Sequence, residues 1–311
     1  LITKLNKSYK LKVLTGDYMA KTNLKIKEKK NVSNAKLKVV DDREIKTTSY
    51  NDINLKQWKN YGHVMTDTLW EFPSRLKEGG HSNEYHGNYI PQIAQQIYER
   101  YTKKDDIVLD MFFGSGTSGI EAINMKRRCI GVELKDELVE SVSHKFTPKQ
   151  LVTDVNIICG DSTSETTKEK VKARLEVMGK KNAQLLMLHP PYDDIIKFSD
   201  RKEDLSNCAT TEEFYDLFEK VAQNGYDLLE KGRYACLIIG DKYANSQHVP
   251  LGFECMARMN KIGFITKAII IKDMQGNERA KGKTANLWRY RALAGGFYIF
   301  KHEYVMIFQK K

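Results

Sequence analysis

Apolar residues along the chain fall into short blocks separated by helix-period stretches. "DIVLDMFF" at 106–113, "CIGVEL" at 129–134, "DVNIICGD" at 154–161, "AQLLMLHPPY" at 183–192 and "RYACLIIGD" at 233–241 each read as a short buried strand. "GFITKAIIIKD" at 263–273 and "HEYVMIFQK" at 302–310 read as two further strands near the end of the chain. Between them the period changes. Pro91 suits a first helical turn, and Ile93, Ile97 and Tyr101 follow at spacings of four. "SGIEAINMK" at 118–126 and "TEEFYDLFEKVAQNGYDLLEKG" at 211–232 are likewise helical. Short apolar strands alternating with helices predict an α/β fold, an open and mainly parallel sheet with helices on both faces.

Length and composition narrow this little. The 311 residues are 41% hydrophobic, enough for one large domain plus an appendage. No apolar run reaches the roughly 18 residues of a membrane span, so a cytoplasmic protein is expected. The five cysteines are widely spaced with no C-x-x-C, suggesting neither a zinc site nor a disulfide framework. Charge adds more. The net charge is +11, and residues 1–60 hold fifteen Lys and Arg against six Asp and Glu. This basic N-terminal extension is either a solvated arm or a contact for phosphates, with the main domain at 61–311.

In an open parallel sheet, ligands bind beyond the carboxyl ends of the strands near the switch in strand order. Three strands here end in an acid: Asp110, Glu133 and Asp161. After Asp110, the turn carries Phe112, Phe113, Gly114, Ser115, Gly116 and Thr117, whose glycines let backbone approach a ligand. These residues and Ser162 are the candidate nucleoside pocket, with Glu133 placed for ribose hydroxyls and Asp161 for an adenine amino group. Taken alone, the glycines make a tight turn and the acids cap helices; three acids at three strand ends favour the pocket. Gly114, Gly116 and Gly119 also match the nicotinamide spacing G-x-G-x-x-G, which leaves that cofactor open at this point.

"HPPY" at 189–192 closes the fourth strand. Together with "DMFFGSGT" at 110–117 it resembles the amino-methyltransferases of DNA, which carry D-x-F-x-G-S-G-T for the cofactor and [D/N/S]-P-P-[Y/F/W] for the target base. The likeness runs over residues 66–311. It implies a Rossmann-like methyltransferase fold, S-adenosyl-L-methionine as cofactor, and methylation of N6 of adenine or N4 of cytosine after the base leaves the duplex. It also implies that His189, Pro190, Pro191 and Tyr192 form the catalytic motif. The side chain at 189 and the Pro190 carbonyl would accept from the target NH₂, with Tyr192 stacked on the base. Histidine at the first motif position departs from the family pattern and removes the clue that separates adenine from cytosine. A neutral imidazole accepts a hydrogen bond and a protonated one cannot, so activity should fall when His189 is protonated. The cofactor motif precedes the catalytic motif, one of the circularly permuted orders of the family.

DNA is the implied partner, and a cognate restriction endonuclease can accompany such an enzyme. The alternative is an RNA enzyme of the tRNA guanine-N2 type, which has similar proline-pair motifs. The segment 272–300, with Lys281, Lys283, Trp288, Arg289 and Arg291, interleaves cations and aromatics as a nucleic-acid surface would; its aromatics could equally pack on the core. "DDIIKFSDRKEDLSN" at 193–207 is expected to lie as a lid over the flipped base.

Overall fold

Ile107, Val108 and Leu109 are all fully buried although successive strand side chains point to opposite faces, so both faces of the sheet must be covered. The computed structural model describes residues 45–81, 87–274 and 285–311. Its strands are β1 (Leu69–Trp70), β2 (Ile107–Asp110), β3 (Arg128–Glu133), β4 (Val155–Cys159), β5 (Ala183–Leu188), β6 (Leu229–Ile239), β7 (Lys242–Ala244), β8 (Gln247–Val249), β9 (Phe264–Asp273) and β10 (His302–Lys310). The helices are α1 (Pro91–Tyr101), α2 (Thr117–Asn124), α3 (Asp136–Ser143), α4 (Pro148–Thr153), α5 (Glu165–Val177), α6 (Thr211–Leu228), α7 (Leu251–Ile262) and α8 (Ala285–Gly295). On one face Ile107 and Leu109 pack with Val171 and Leu175 of α5, Phe214 and Phe218 of α6, and Leu251, Cys255 and Met259 of α7. On the other, Val108 packs with Ile93, Ala94 and Ile97 of α1 and Ile120 of α2.

Eight strands form one sheet in the order β1-β9-β10-β6-β5-β2-β3-β4. β2 to β6 pair in parallel with their neighbours, and β10 runs antiparallel between β6 and β9. The chain winds outward from β2 through β3 to β4, then returns to lay β5 on the other side of β2. The reversal in strand order therefore falls between β2 and β5, where a crevice opens at their carboxyl ends. β7 and β8 form a separate hairpin. No helix of the described residues is long and apolar enough to cross a membrane.

Two predicted boundaries move. The helix expected to reach residue 232 stops at Leu228, because Leu229 already pairs with Ala183 and Gly232 takes a left-handed φ of 82°. Residues 45–60, read from the sequence as part of the basic extension, lie against the main domain. There Tyr50 packs on Tyr101 and Tyr234 with ring centroids 6.5 and 5.0 Å away, and the buried Asn51 donates to the Arg100 carbonyl at 2.8 Å.

Candidate active site

The loops that follow β2, β3, β4 and β5 meet at the crevice and line one cavity of about 840 Å³, open mouth included. Phe112, Phe113, Gly114 and Thr117 come from the first loop, Glu133 to Lys135 from the second, Asp161 and Ser162 from the third, and His189, Pro190 and Pro191 from the fourth. Asn88 and Tyr89 before α1, and Phe198 with Glu203 to Leu205, complete the walls. Four sequence-predicted residues do not line it: Asp110, Ser115, Gly116 and Tyr192.

Their places have physical reasons. Asp110 is buried beneath the turn, accepting from the Ser118 hydroxyl and from the Phe112 amide at 2.9 Å. It shapes the loop from below and does not face the cavity. Burial, opposed by those two bonds, raises its carboxyl to about 6. Gly116 holds φ at 84° at the start of α2, and the Ser115 carbonyl accepts from Lys145 Nζ at 2.9 Å. Phe113 wedges under the turn against Gly131, where a Cβ would stand 2.2 Å from its ring; only glycine at 131 leaves that space.

Glu133 is 8% exposed and faces the cavity. Its Oε2 accepts from the Gly114 amide at 2.9 Å and its Oε1 from the Lys135 amide at 3.1 Å. Burial raises its carboxyl above the ordinary value, and those amides oppose the rise. The Leu134 amide bonds to it as well, and a carboxylate with about four acceptor sites still has room for a ligand donor. Asp161 accepts from the Thr163 amide at 2.8 Å and hydroxyl at 2.7 Å, and Ser162 donates to the Met111 carbonyl at 2.6 Å, tying the third loop to the first.

In the fourth loop, His189 sits edge-on to Tyr89 and Tyr192, with ring centroids at 5.3 and 5.8 Å. Burial holds its imidazole down to about 4; Glu303 opposes the shift and Lys272 adds to it. The neutral form is therefore the resident one at pH 7, as an acceptor requires. Tyr192 is held by two contacts outside the lining set. Its hydroxyl donates to Glu303 at 2.9 Å and its ring lies over Gly240. Lys242 Nζ binds both Asp193 and Asp194 at 2.6 Å, fixing the loop just after the motif. The segment 193–207 does reach the cavity, through Phe198 and Glu203 to Leu205.

Of the predicted nucleic-acid residues, the three that are described do not line this cavity. Lys281 and Lys283 lie outside the described residues. Trp288, Arg289 and Arg291 are on α8, where Arg291 stands over the Trp288 ring at 5.2 Å and Tyr290 is 70% exposed. Phe297 and Phe300 instead pack on Tyr243 of the β7–β8 hairpin, at 5.4 and 4.8 Å. Sequence reasoning missed Lys242, Lys272, Glu303, Tyr89 and Phe198, which carry no motif and matter only through tertiary placement.

Known proteins resemble the chain in sequence. The type II methyltransferase M.BglI of Bacillus subtilis is 24% identical over 139 residues, 44% of this chain and 38% of that protein. The probable type III restriction-modification enzyme HindVI Mod subunit of Haemophilus influenzae is 34% identical over 89 residues, 27% of this chain and 12% of that protein. The chain thus spans well under half the length of either relative. The crystal structure of TrmN from Thermus thermophilus covers 73% of this chain and 50% of its own at 14% identity, with a TM-score of 0.44. The profile of the N6/N4-type DNA methylases matches residues 2–144 and 183–311, taking in both the glycine turn and the proline pair. With both motif loops opening on one cavity and that profile running over most of its length, the chain belongs to the N6/N4 DNA methylase family.

Proposed function

We propose that the chain transfers a methyl group from S-adenosyl-L-methionine to the exocyclic amino group of adenine (N6) or cytosine (N4) in DNA, by direct attack on a flipped base. The observation that carries this reading is the meeting of Glu133 and the His189-Pro190-Pro191 loop in the lining of one cavity. The cavity fits the cofactor chemically. A carboxylate with room for a ligand donor suits ribose hydroxyls, a second at Asp161 suits an adenine amino group, and the backbone at Gly114 allows close approach. Phe112, Phe113, Thr117 and Ser162 complete that half. When bound, the cofactor supplies a methyl group activated on a sulfonium.

The rest of the work falls to the protein. An exocyclic amine is a poor nucleophile because its lone pair is delocalised into the ring, so it must be held and polarised. His189, kept neutral by burial, would accept from the NH₂ together with the Pro190 carbonyl. Two prolines give a rigid backbone without competing donors. Catalysis is then mainly positioning. Arg289 and Arg291 on α8, with Lys281 and Lys283, would take phosphates, and the basic excess of residues 1–60 offers a second contact. The name of the HindVI Mod subunit supports a setting of restriction and modification; on this reading the chain works in the cytoplasm with a cognate endonuclease as partner.

The test is methyl transfer from radiolabelled S-adenosyl-L-methionine to duplex DNA, single-stranded DNA and tRNA, followed by nucleoside chromatography, with His189→Ala as control. Label in N6-methyladenine or N4-methylcytosine of DNA is expected, and it names the base. Label in RNA alone overturns the DNA reading in favour of a tRNA guanine-N2 enzyme.

A further inference from the structure

Behind the proline-pair loop, four polar side chains run in single file through the wall of the sheet. Lys272 of β9 and Glu303 of β10 are cross-strand partners, 2% and 7% exposed, and Lys272 Nζ meets Glu303 Oε1 at 2.9 Å. The other carboxylate oxygen, Oε2, accepts from the Tyr192 hydroxyl at 2.9 Å. That hydroxyl oxygen lies 3.5 Å from His189 Nε2, at the limit of a hydrogen bond. A buried ion pair of this kind is weak evidence of stabilisation, since desolvation offsets much of its attraction. Its direction says more.

A tyrosine hydroxyl has one proton, and here an ionised carboxylate takes it. Toward His189 the Tyr192 oxygen can only accept. We propose that Lys272, Glu303 and Tyr192 set the tautomer of His189, with the proton on Nε2 and the lone pair on Nδ1, and so act as positioning residues for the catalytic imidazole. Lys272 donates to Glu303 Oε1, Glu303 Oε2 accepts from the Tyr192 hydroxyl, and the Tyr192 oxygen accepts from the His189 Nε2–H. Nδ1 is left as the one acceptor the ring can offer. The groups facing the imidazole are Tyr89 from the segment before α1, Tyr192 from its own loop, Lys272 from β9 and Glu303 from β10. Among them Tyr89 shares its hydroxyl with Ser118 Oγ at 2.5 Å. This explains why a histidine can stand where the family pattern has Asp, Asn or Ser: an imidazole accepts at one atom only, and the wrong tautomer would present a donor.

The assignment of Nδ1 to the target amine rests on the methyl-transfer reading above; the tautomer itself does not. It is read by two-bond ¹H–¹⁵N correlation spectra of the full chain labelled in histidine, near pH 7, without cofactor or DNA. His189 is assigned by the signal missing in His189→Ala. A protonated Nε2 and an unprotonated Nδ1 are expected in the wild type. In Tyr192→Phe, which keeps the ring but not the hydroxyl, the Nδ1-protonated form should appear; Glu303→Gln is the second variant, expected to shift the balance the same way. Wild-type spectra with Nδ1 protonated, or tautomer populations unchanged in both variants, overturn the proposal whatever the substrate. Where DNA is the substrate, Tyr192→Phe should lower kcat about tenfold to a hundredfold with KM for the cofactor unchanged.

Discussion

The amide of Gly114 donates to Oε2 of Glu133 at 2.9 Å, joining the glycine turn after β2 to the end of β3. The residue that would hold the ribose thus also holds the loop that approaches it. Glu133→Gln keeps the shape but gives one oxygen where three amides and two hydroxyls now seek acceptors. The Kd for S-adenosyl-L-methionine should rise about tenfold to a hundredfold. Isothermal titration calorimetry measures it, and unchanged affinity would remove Glu133 from the binding site.

Gly131→Ala should destabilise the fold by about 1–3 kcal/mol, the usual cost of overpacking. The new Cβ would lie 2.2 Å from the Phe113 ring, which is buried and cannot simply swing aside. Since Phe113 also lines the cavity, cofactor affinity should fall in step. Urea unfolding and calorimetry on the same preparation check both. Loss of stability with full affinity would show that the wedge and the pocket are independent.

The His189 imidazole, lowered by burial to about 4, is neutral over the ordinary working range. The methylation rate should stay level as pH falls from about 7 to 5, apart from other groups, and drop through about 4. The sign for stability is the same. The unfolded chain takes up a proton near 6.5 that the folded chain refuses, so the contribution of this group is complete above 6.5 and lost as pH falls toward about 4. A pH–rate profile, with circular dichroism to confirm folding at each point, tests it. A break at 6.5 would mean that the imidazole is solvated.

Lys242→Met leaves Asp193 buried beside Asp194 without its cation, while the Thr211 hydroxyl still donates to it at 2.7 Å. Removing one member of a buried pair costs about 3–5 kcal/mol. The double variant Asp193→Asn, Lys242→Met should recover part of that loss, because no uncompensated charge remains inside. Chemical unfolding of the three proteins is the measurement. Equal losses in the single and the double variants would show that the pair contributes little.

Arg289→Ala and Arg291→Ala should each lower the slope of log affinity for duplex DNA against log salt by about one unit if each guanidinium neutralises a phosphate. Fluorescence anisotropy across a salt series reads this directly. Slopes that do not change would move the DNA surface away from α8.

Much of the site's frame was legible because it depends on local pattern. β2, β3 and β5 are nearly unbroken apolar runs, and the acids and glycines at their ends announce themselves by position. α5 was missed because only Thr167, Val171 and Leu175 are buried along a strongly charged helix. α7 was missed for a similar reason, its core contacts being Leu251, Gly252, Cys255 and Met259. The bond from Tyr192 to Glu303 could not be read at all. Its partner Glu303 lies 111 residues away, and Glu303 meets Lys272 only through the register of two antiparallel strands. Asp110 was assigned to the cavity from its place at a strand end, but the pleat directs it under the turn onto Ser118.

The ladder between β9 and β10 ends with Glu303 opposite Lys272, His302 opposite Asp273, and the Met274 amide donating to the Lys301 carbonyl at 2.9 Å. In the chain, α8 falls between β9 and β10, beyond that closing rung. Substitutions on α8 can therefore accumulate while the rung keeps the wall behind His189 in register. On the proposed reading, in which α8 takes phosphates, reading a new target and preserving the chemistry become separable problems.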